Sequence, residues 1–167
     1  MSSVQQIVVF RSQDNEFAFD IMGVREIIRF TKITNVAKSA DYIVGVVNLR
    51  GNVLPVLDFR EMIGEKKTEL DKSKRIIFIE LDDFKVGILV DSVREVLRVK
   101  EDDFQEIHGS DKVSGKMIKL DSGERIISFV DIVHLKDSIL SGEKTNIVIG
   151  ENVSDEDAQT VVNSEAS

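Results

Sequence analysis

A chain of 167 residues, 42% of them hydrophobic and none of them cysteine, has the size of one domain or two small packed ones, and its composition excludes disulfides and thiolate metal sites. The net charge of −8 is uneven: residues 151–167 hold five acids and no base, which leaves 25 acids against 22 bases in residues 1–150. A nearly balanced body offers neither the basic face that nucleic acid requires nor a polybasic stretch for anionic lipid.

Ile7-Val8-Val9-Phe10 is followed by the polar Gln13-Asp14-Asn15, after which Phe17, Phe19 and Ile21 alternate with Ala18 and Asp20. Alternation on both sides of an Asx-rich turn predicts a β-hairpin. Val24, Ile27 and Ile28 fit a helical turn or an extended bend equally well. Tyr42 to Asp58 reads as two strands around a turn at Arg50-Gly51-Asn52. Pro55, the only proline, cannot donate to a ladder, which predicts an edge strand or a bulge there. Asp58 and Glu61 have capping-box-like spacing, and Gly64 ends the short helix that they begin. Residues 66–74 are polar and read as a connecting loop.

The pattern then repeats. Ile76-Ile77-Phe78-Ile79 matches Ile7-Val8-Val9-Phe10, and Val93-Arg94-Glu95-Val96-Leu97-Arg98-Val99 matches Val24-Arg25-Glu26-Ile27-Ile28-Arg29-Phe30, both at an offset of 69. Ile126-Ile127-Ser128-Phe129-Val130-Asp131 answers Val53-Leu54-Pro55-Val56-Leu57-Asp58 at an offset of 73. An ordered series of matches marks an internal duplication, with halves at about 4–65 and 75–140. About five short strands per half suit a small closed barrel, which removes exposed edges. A C-terminal helix is predicted from Asp131 as N-cap, the apolar set Ile132, Leu135, Ile139 and Leu140, and Gly142 beyond its end. Residues 1–150 are the folded body; residues 151–167 read as an acidic disordered tail. The Met-Ser-Ser-Val-Gln-Gln start lacks the marks of a signal peptide, and no apolar run approaches the ~18 residues of a membrane span, so the cytoplasm is expected.

No active site emerges. His108 and His134 stand in different contexts without cysteine or a patterned carboxylate cluster, which makes a metal site or a hydrolytic triad unlike what is seen. Asp58 and Asp131 occupy equivalent places in the repeat and are better explained as helix caps than as a catalytic pair. Asp82-Asp83 reads as a hairpin tip, and Gly45, Gly51 and Gly115 do not assemble into a phosphate loop. No cofactor is expected.

Phe17-Ala18-Phe19-Asp20-Ile21 with Val24-Arg25-Glu26-Ile27, then Tyr42-Ile43-Val44-Gly45-Val46-Val47-Asn48-Leu49-Arg50-Gly51 with Leu54-Pro55-Val56-Leu57-Asp58, resemble the CheW family of chemotaxis coupling proteins. Val86-Gly87-Ile88-Leu89-Val90-Asp91-Ser92-Val93 continues the likeness, which covers roughly residues 5–140. The resemblance implies a mainly β fold of two intertwined five-stranded SH3-like barrels with short helices. It implies a non-catalytic adaptor, monomeric when free, that couples chemoreceptor cytoplasmic tips to the regulatory domain of the CheA histidine kinase. By position it assigns Val24, Glu26, Arg50 and Val96 to receptor binding, and Ile33, Gly45, Phe104 and Gln105 to kinase binding. No ATPase segment or receiver domain accompanies the pattern in this sequence, so a stand-alone adaptor is expected. The competing expectation is a barrel that binds an oligonucleotide or a small ligand, which would need exposed aromatics and, for nucleic acid, a basic groove. The repeat sharpens one point: Glu95 duplicates Glu26, whereas the turn Lys119-Leu120-Asp121-Ser122-Gly123 lacks a counterpart of Arg50. An arginine present in one copy alone is expected to serve a partner.

Overall fold

In a computed structural model, which describes residues 3–37, 40–108, 114–141, 146–147 and 162–163, the duplication is visible in the order of the elements. The first half runs β1 (Val4–Ser12), β2 (Asn15–Asp20), a 3-10 turn at Ile21–Gly23, β3 (Val24–Arg29), β4 (Ile43–Leu49), β5 (Asn52–Asp58) and α1 (Phe59–Met62). The second runs β6 (Arg75–Leu81), β7 (Phe84–Val90), β8 (Ser92–Lys100), a 3-10 turn at Glu101–Asp103, β9 (Phe104–His108), β10 (Ser114–Leu120), β11 (Arg125–Phe129) and α2 (Ile132–Ser141). Beyond it, β12 (Asn146–Ile147) pairs with β13 (Val162–Asn163). The rest of the expected acidic tail, like Gly142, lies outside the described residues.

Each half gives its first hairpin to the other half's sheet. One sheet has the order β3-β6-β7-β5-β4, the other β8-β1-β2-β11-β10-β9. The exchange is sealed by parallel pairs between halves, β5 with β7 (Val56 beside Gly87) and β11 with β2 (Ser128 beside Phe17). These are the two intertwined SH3-like barrels, and the second has six strands rather than five. Its β9 pairs along β10, whereas the same place beside β4 holds a single bridge between Thr34 and Val46.

Intertwining explains why β1 and β6 are apolar without alternation: both their faces are buried. Ile7 and Val9 point into the six-stranded barrel, and Ile76 and Phe78 into the five-stranded one. Phe10, Ile77 and Ile79 turn to a third core between the barrels, joined there by Phe59 and Met62 of α1 and Leu135 of α2. Phe59 meets Phe10 and Phe17 edge-on at centroid distances of 5.0 and 4.8 Å, so the first half's helix packs on the second barrel. A core shared in this way belongs to neither half.

Three local expectations change. Val24 to Arg29 is a strand, and the 3-10 turn precedes it. Pro55 sits neither at an edge nor in a bulge, since β5 lies between β4 and β7. Val46, opposite Pro55, exchanges both its backbone hydrogen bonds with Thr34, so the proline nitrogen faces the β7 side, where pairing starts only at Val56. The irregularity falls on β4 instead, between Ile43 and Gly45. In α2, Leu140 is exposed and Ser138 takes a place on the buried face beside Leu135. The caps are as expected: Asp58 accepts from Arg60 N and Asp131 from Val133 N. Asp58 is also fully buried and accepts from Thr68 N at 2.8 Å, tying the 66–74 loop to α1.

Candidate protein-docking site

The Asn-Leu-Arg-Gly turn is built by its own residues. Asn48 Oδ1 accepts from Gly51 N at 2.9 Å, while Arg50 and Gly51 take left-handed conformations with φ of 52° and 87°. Glycine adopts that region freely; arginine does so at a cost that the asparagine bond helps to offset. The turn throws the Arg50 side chain outward, where it is 78% exposed.

There it reaches the far edge of the sheet. Arg50 Nε donates to Glu26 Oε2 at 3.2 Å and Nη2 to Oε1 at 2.9 Å, a bidentate pair. Glu26 is on β3, one edge strand, and Arg50 follows β4, the other, so the pair straps the barrel closed. The bond from Arg50 holds the Glu26 carboxyl below its ordinary pKa, with the charges of Arg50 and Arg25 adding to the effect and burial opposing it. Beside the strap, Arg25 donates to Glu80 at 2.8 Å and Lys85 lies 3.7 Å from it. These charges rim an open groove of about 490 Å³ whose apolar lining includes Leu49, Leu54 and Phe78.

The second barrel carries the same strap, which corrects the expectation that Arg50 has no counterpart. The arginine comes two residues after the turn rather than within it: Arg125, the first residue of β11, donates to Glu95 at 2.9 Å. It also donates to Glu16 from Nε at 3.0 Å and Nη2 at 2.8 Å. Those bonds, Glu16's first, raise the pKa of Arg125 further, against the effect of burial. A neighbouring pair is reversed between copies. Glu80 faces Lys85 across β6 and β7, while Arg11 faces Glu16 at the equivalent register of β1 and β2.

The other residues assigned from the sequence fall in four places. Val24 is half-buried at the start of β3, against the central core, on the same sheet as Glu26. Val96 is 49% exposed on β8 of the other barrel, next to Glu95. Ile33 and Gly45 are in contact: a Cβ on Gly45 would stand 2.8 Å from Ile33 Cγ2 and 2.3 Å from the Thr34 carbonyl oxygen. Phe104 and Gln105 begin β9, with Phe104 edge-on to Phe129 at 5.3 Å and Gln105 exposed. Ile33-Gly45 and Phe104-Gln105 therefore occupy corresponding edges of the two barrels.

Sequence reasoning missed Arg125, Glu16 and the Asp91 cluster described below. Arg125 was accessible, since it follows a turn and stands where the repeat places Asn52. His134 is exposed on α2, and the side chain of His108 lies outside the described residues. Among the described residues no three His, Asp or Glu side chains are grouped to hold a metal, and no helix is long and apolar enough to cross a membrane.

Comparison with known proteins bears on this geometry. The CheW-like domain model matches residues 6–139. The chain belongs to the CheW-like family. A chemotaxis protein CheW of Rhizobium meliloti is 40% identical over 101 residues, 60% of this chain and 65% of that protein. The CheW of Thermotoga maritima is 35% identical over 130 residues, covering 76% of this chain and 84% of its own length. Among solved structures, the scaffolding protein TtCheW of Thermoanaerobacter tengcongensis superposes with a TM-score of 0.70 at 26% identity, over 87% of this CheW-like chain and 99% of that one.

Proposed function

We propose that this CheW-like chain is a non-catalytic chemotaxis adaptor of the cytoplasm that couples chemoreceptor tips to the regulatory domain of a CheA histidine kinase. The observation that carries the reading is the Glu26–Arg50 strap: Arg50 lies in the Asn-Leu-Arg-Gly turn and Glu26 in the Val-Arg-Glu-Ile segment, both of which resemble the family, and the two rim an open groove instead of lying in the core. Charged groups at such a rim set orientation and partner choice more than raw affinity. Receptor contact is assigned to Val24, Glu26, Arg50 and Val96. Kinase contact is assigned to Ile33 with Gly45 and to Phe104 with Gln105, at matching barrel edges.

Arg50→Asp tests the assignment. An ion pair as exposed as this one contributes little to stability, so the variant should melt close to the unaltered protein and lose receptor-dependent activation of the kinase. A collapse of the melting temperature would return Arg50 to a structural role. Unchanged activation would return it to ordinary solvated surface.

A further inference from the structure

A second groove, of about 510 Å³, opens where the 3-10 turn Ile21–Gly23 crosses between the barrels and meets the first turn of α2. The approach there is tight, since a Cβ on Gly23 would stand 2.2 Å from Ile132 Cδ1. The floor is made of half-buried Leu81, Phe104 and Phe129, and two apolar side chains stand up at the rim, Met22 at 88% and Val133 at 53% exposure. Single exposed apolar residues carry no message, but a floor and rim of them in one groove mark a binding surface. Methionine is over-used on surfaces that accept partner side chains, because its unbranched thioether adapts its shape.

The charges around this groove select the occupant. Four carboxylates line it, Asp20, Glu80, Glu101 and Asp131, against a single base among the lining residues, Lys116. Glu80 is already paired with Arg25 and Lys85. Asp20 accepts from Met22 N and Gln5 Nε2, and Asp131 from Val133 N. Those bonds fix the two carboxylates in place without supplying a positive charge, and Glu101 is exposed. The Glu26–Arg50 groove differs in this respect, because its carboxylates are each met by an arginine.

We propose that this groove is a further docking surface, for an amphipathic segment of a partner protein that carries Lys or Arg beside its apolar side chains. The apolar residues seat between Met22 and Val133, and the bases face Asp20, Glu101 and Asp131. The chain's own residues 151–167 have the wrong chemistry to fill it, with five acids and no base. Phe104 is shared with the proposed kinase contact, so the test must separate the two.

The probe is a dye-labelled helical peptide of leucine and lysine, with a leucine–glutamate peptide as its counterpart, titrated by fluorescence anisotropy into the full chain. The lysine peptide is expected to bind and the glutamate peptide to fail. Met22→Lys and Glu101→Lys should each weaken binding about tenfold, the scale of a central interface contact. Glu69→Lys, an exposed acid outside the groove, should leave it unchanged. Equal weakening by Glu69→Lys would show attraction to net charge alone and overturn the proposal. So would loss of the bound peptide on adding excess kinase regulatory domain or receptor tip, since the groove would then belong to those partners. Neither result depends on Arg50, so this inference can fail while the adaptor assignment stands.

Discussion

Asp91→Ala removes a tie that draws three other parts of the chain to one carboxylate. Asp91 stands between β7 and β8 with its side chain 14% exposed. It accepts from Arg60 Nη2 at 2.7 Å and Nε at 3.0 Å, and from Gln13 N at 2.6 Å, while Lys74 Nζ lies 3.6 Å away. The α1 helix, the β1–β2 turn and the loop before β6 thus converge where β8 begins. Its loss strands the Arg60 guanidinium, itself largely buried, and the Gln13 N–H. Breaking a fully buried pair costs about 3–5 kcal/mol, and solvent access at both side chains lowers this to about 2–3 kcal/mol. At about 2–4 °C per kcal/mol for a chain of this size, the melting temperature near neutral pH should fall by about 5–10 °C. Burial pushes the Asp91 pKa up, but the bonds from Arg60 and Gln13 N and the charges of Arg60 and Lys74 outweigh it and hold the value below the ordinary one. The stabilisation is therefore complete above the unfolded pKa of about 4 and disappears as pH falls through the lower folded value. Calorimetry of both proteins across this range is the assay. A fall of under about 2 °C near neutrality, where about 5–10 °C is expected, or a deficit that does not narrow below about pH 4, refutes the reasoning.

Gly45→Ala places a Cβ against the Thr34 carbonyl and breaks the bridge of two 2.9 Å hydrogen bonds between Thr34 and Val46. Overpacking together with those bonds should cost about 2–4 kcal/mol in denaturant unfolding, and an unchanged midpoint would show that the 31–37 segment yields freely. Residues 75–140 expressed alone lack the β1–β2 hairpin that separates β8 from β11, so circular dichroism should show no cooperative thermal transition; a sharp one would mean that the halves are independent. Arg125→Met strands two carboxylates, one of them largely buried, whereas Arg50→Met strands one at the surface. The first should lower the melting temperature by several degrees more than the second, and equal effects would remove the distinction between the two straps.

Much of this fold could be read from the chain because the two copies corroborate each other. The hairpins, the turns at Arg50 and Asp82 and both aspartate caps each have local chemistry that periodicity or turn composition reveals. The exchange of hairpins leaves a local trace in the unbroken apolar runs of β1 and β6, but such a run states that both faces are buried and not by what. Pro55 misled for a related reason: the rule against proline in central strands assumes a ladder on each side, and here one ladder begins a residue later. The residues proposed for docking were legible only as positions in the family resemblance. Their geometry depends on where strands distant in sequence come together, and Arg125 bonds Glu16 across 109 positions.

The duplication also explains how one scaffold offers unlike surfaces. Both barrels tie an edge strand to the opposite turn with an arginine–glutamate pair. In the second barrel the arginine is committed, held by two carboxylates and mostly covered. In the first, it meets one carboxylate and stays open to solvent. Reversal of the adjacent pair, from Arg11–Glu16 to Glu80–Lys85, completes the difference: in one copy the added acid engages the strap arginine, in the other the acid turns to Arg25 and leaves that arginine alone. The first barrel thus presents an arginine with one carboxylate partner and an open face, and the second one held by two carboxylates and mostly covered. The asymmetry between the straps arises from a few charged side chains on a nearly symmetric frame, and it leaves Arg50 as the strap arginine open to solvent.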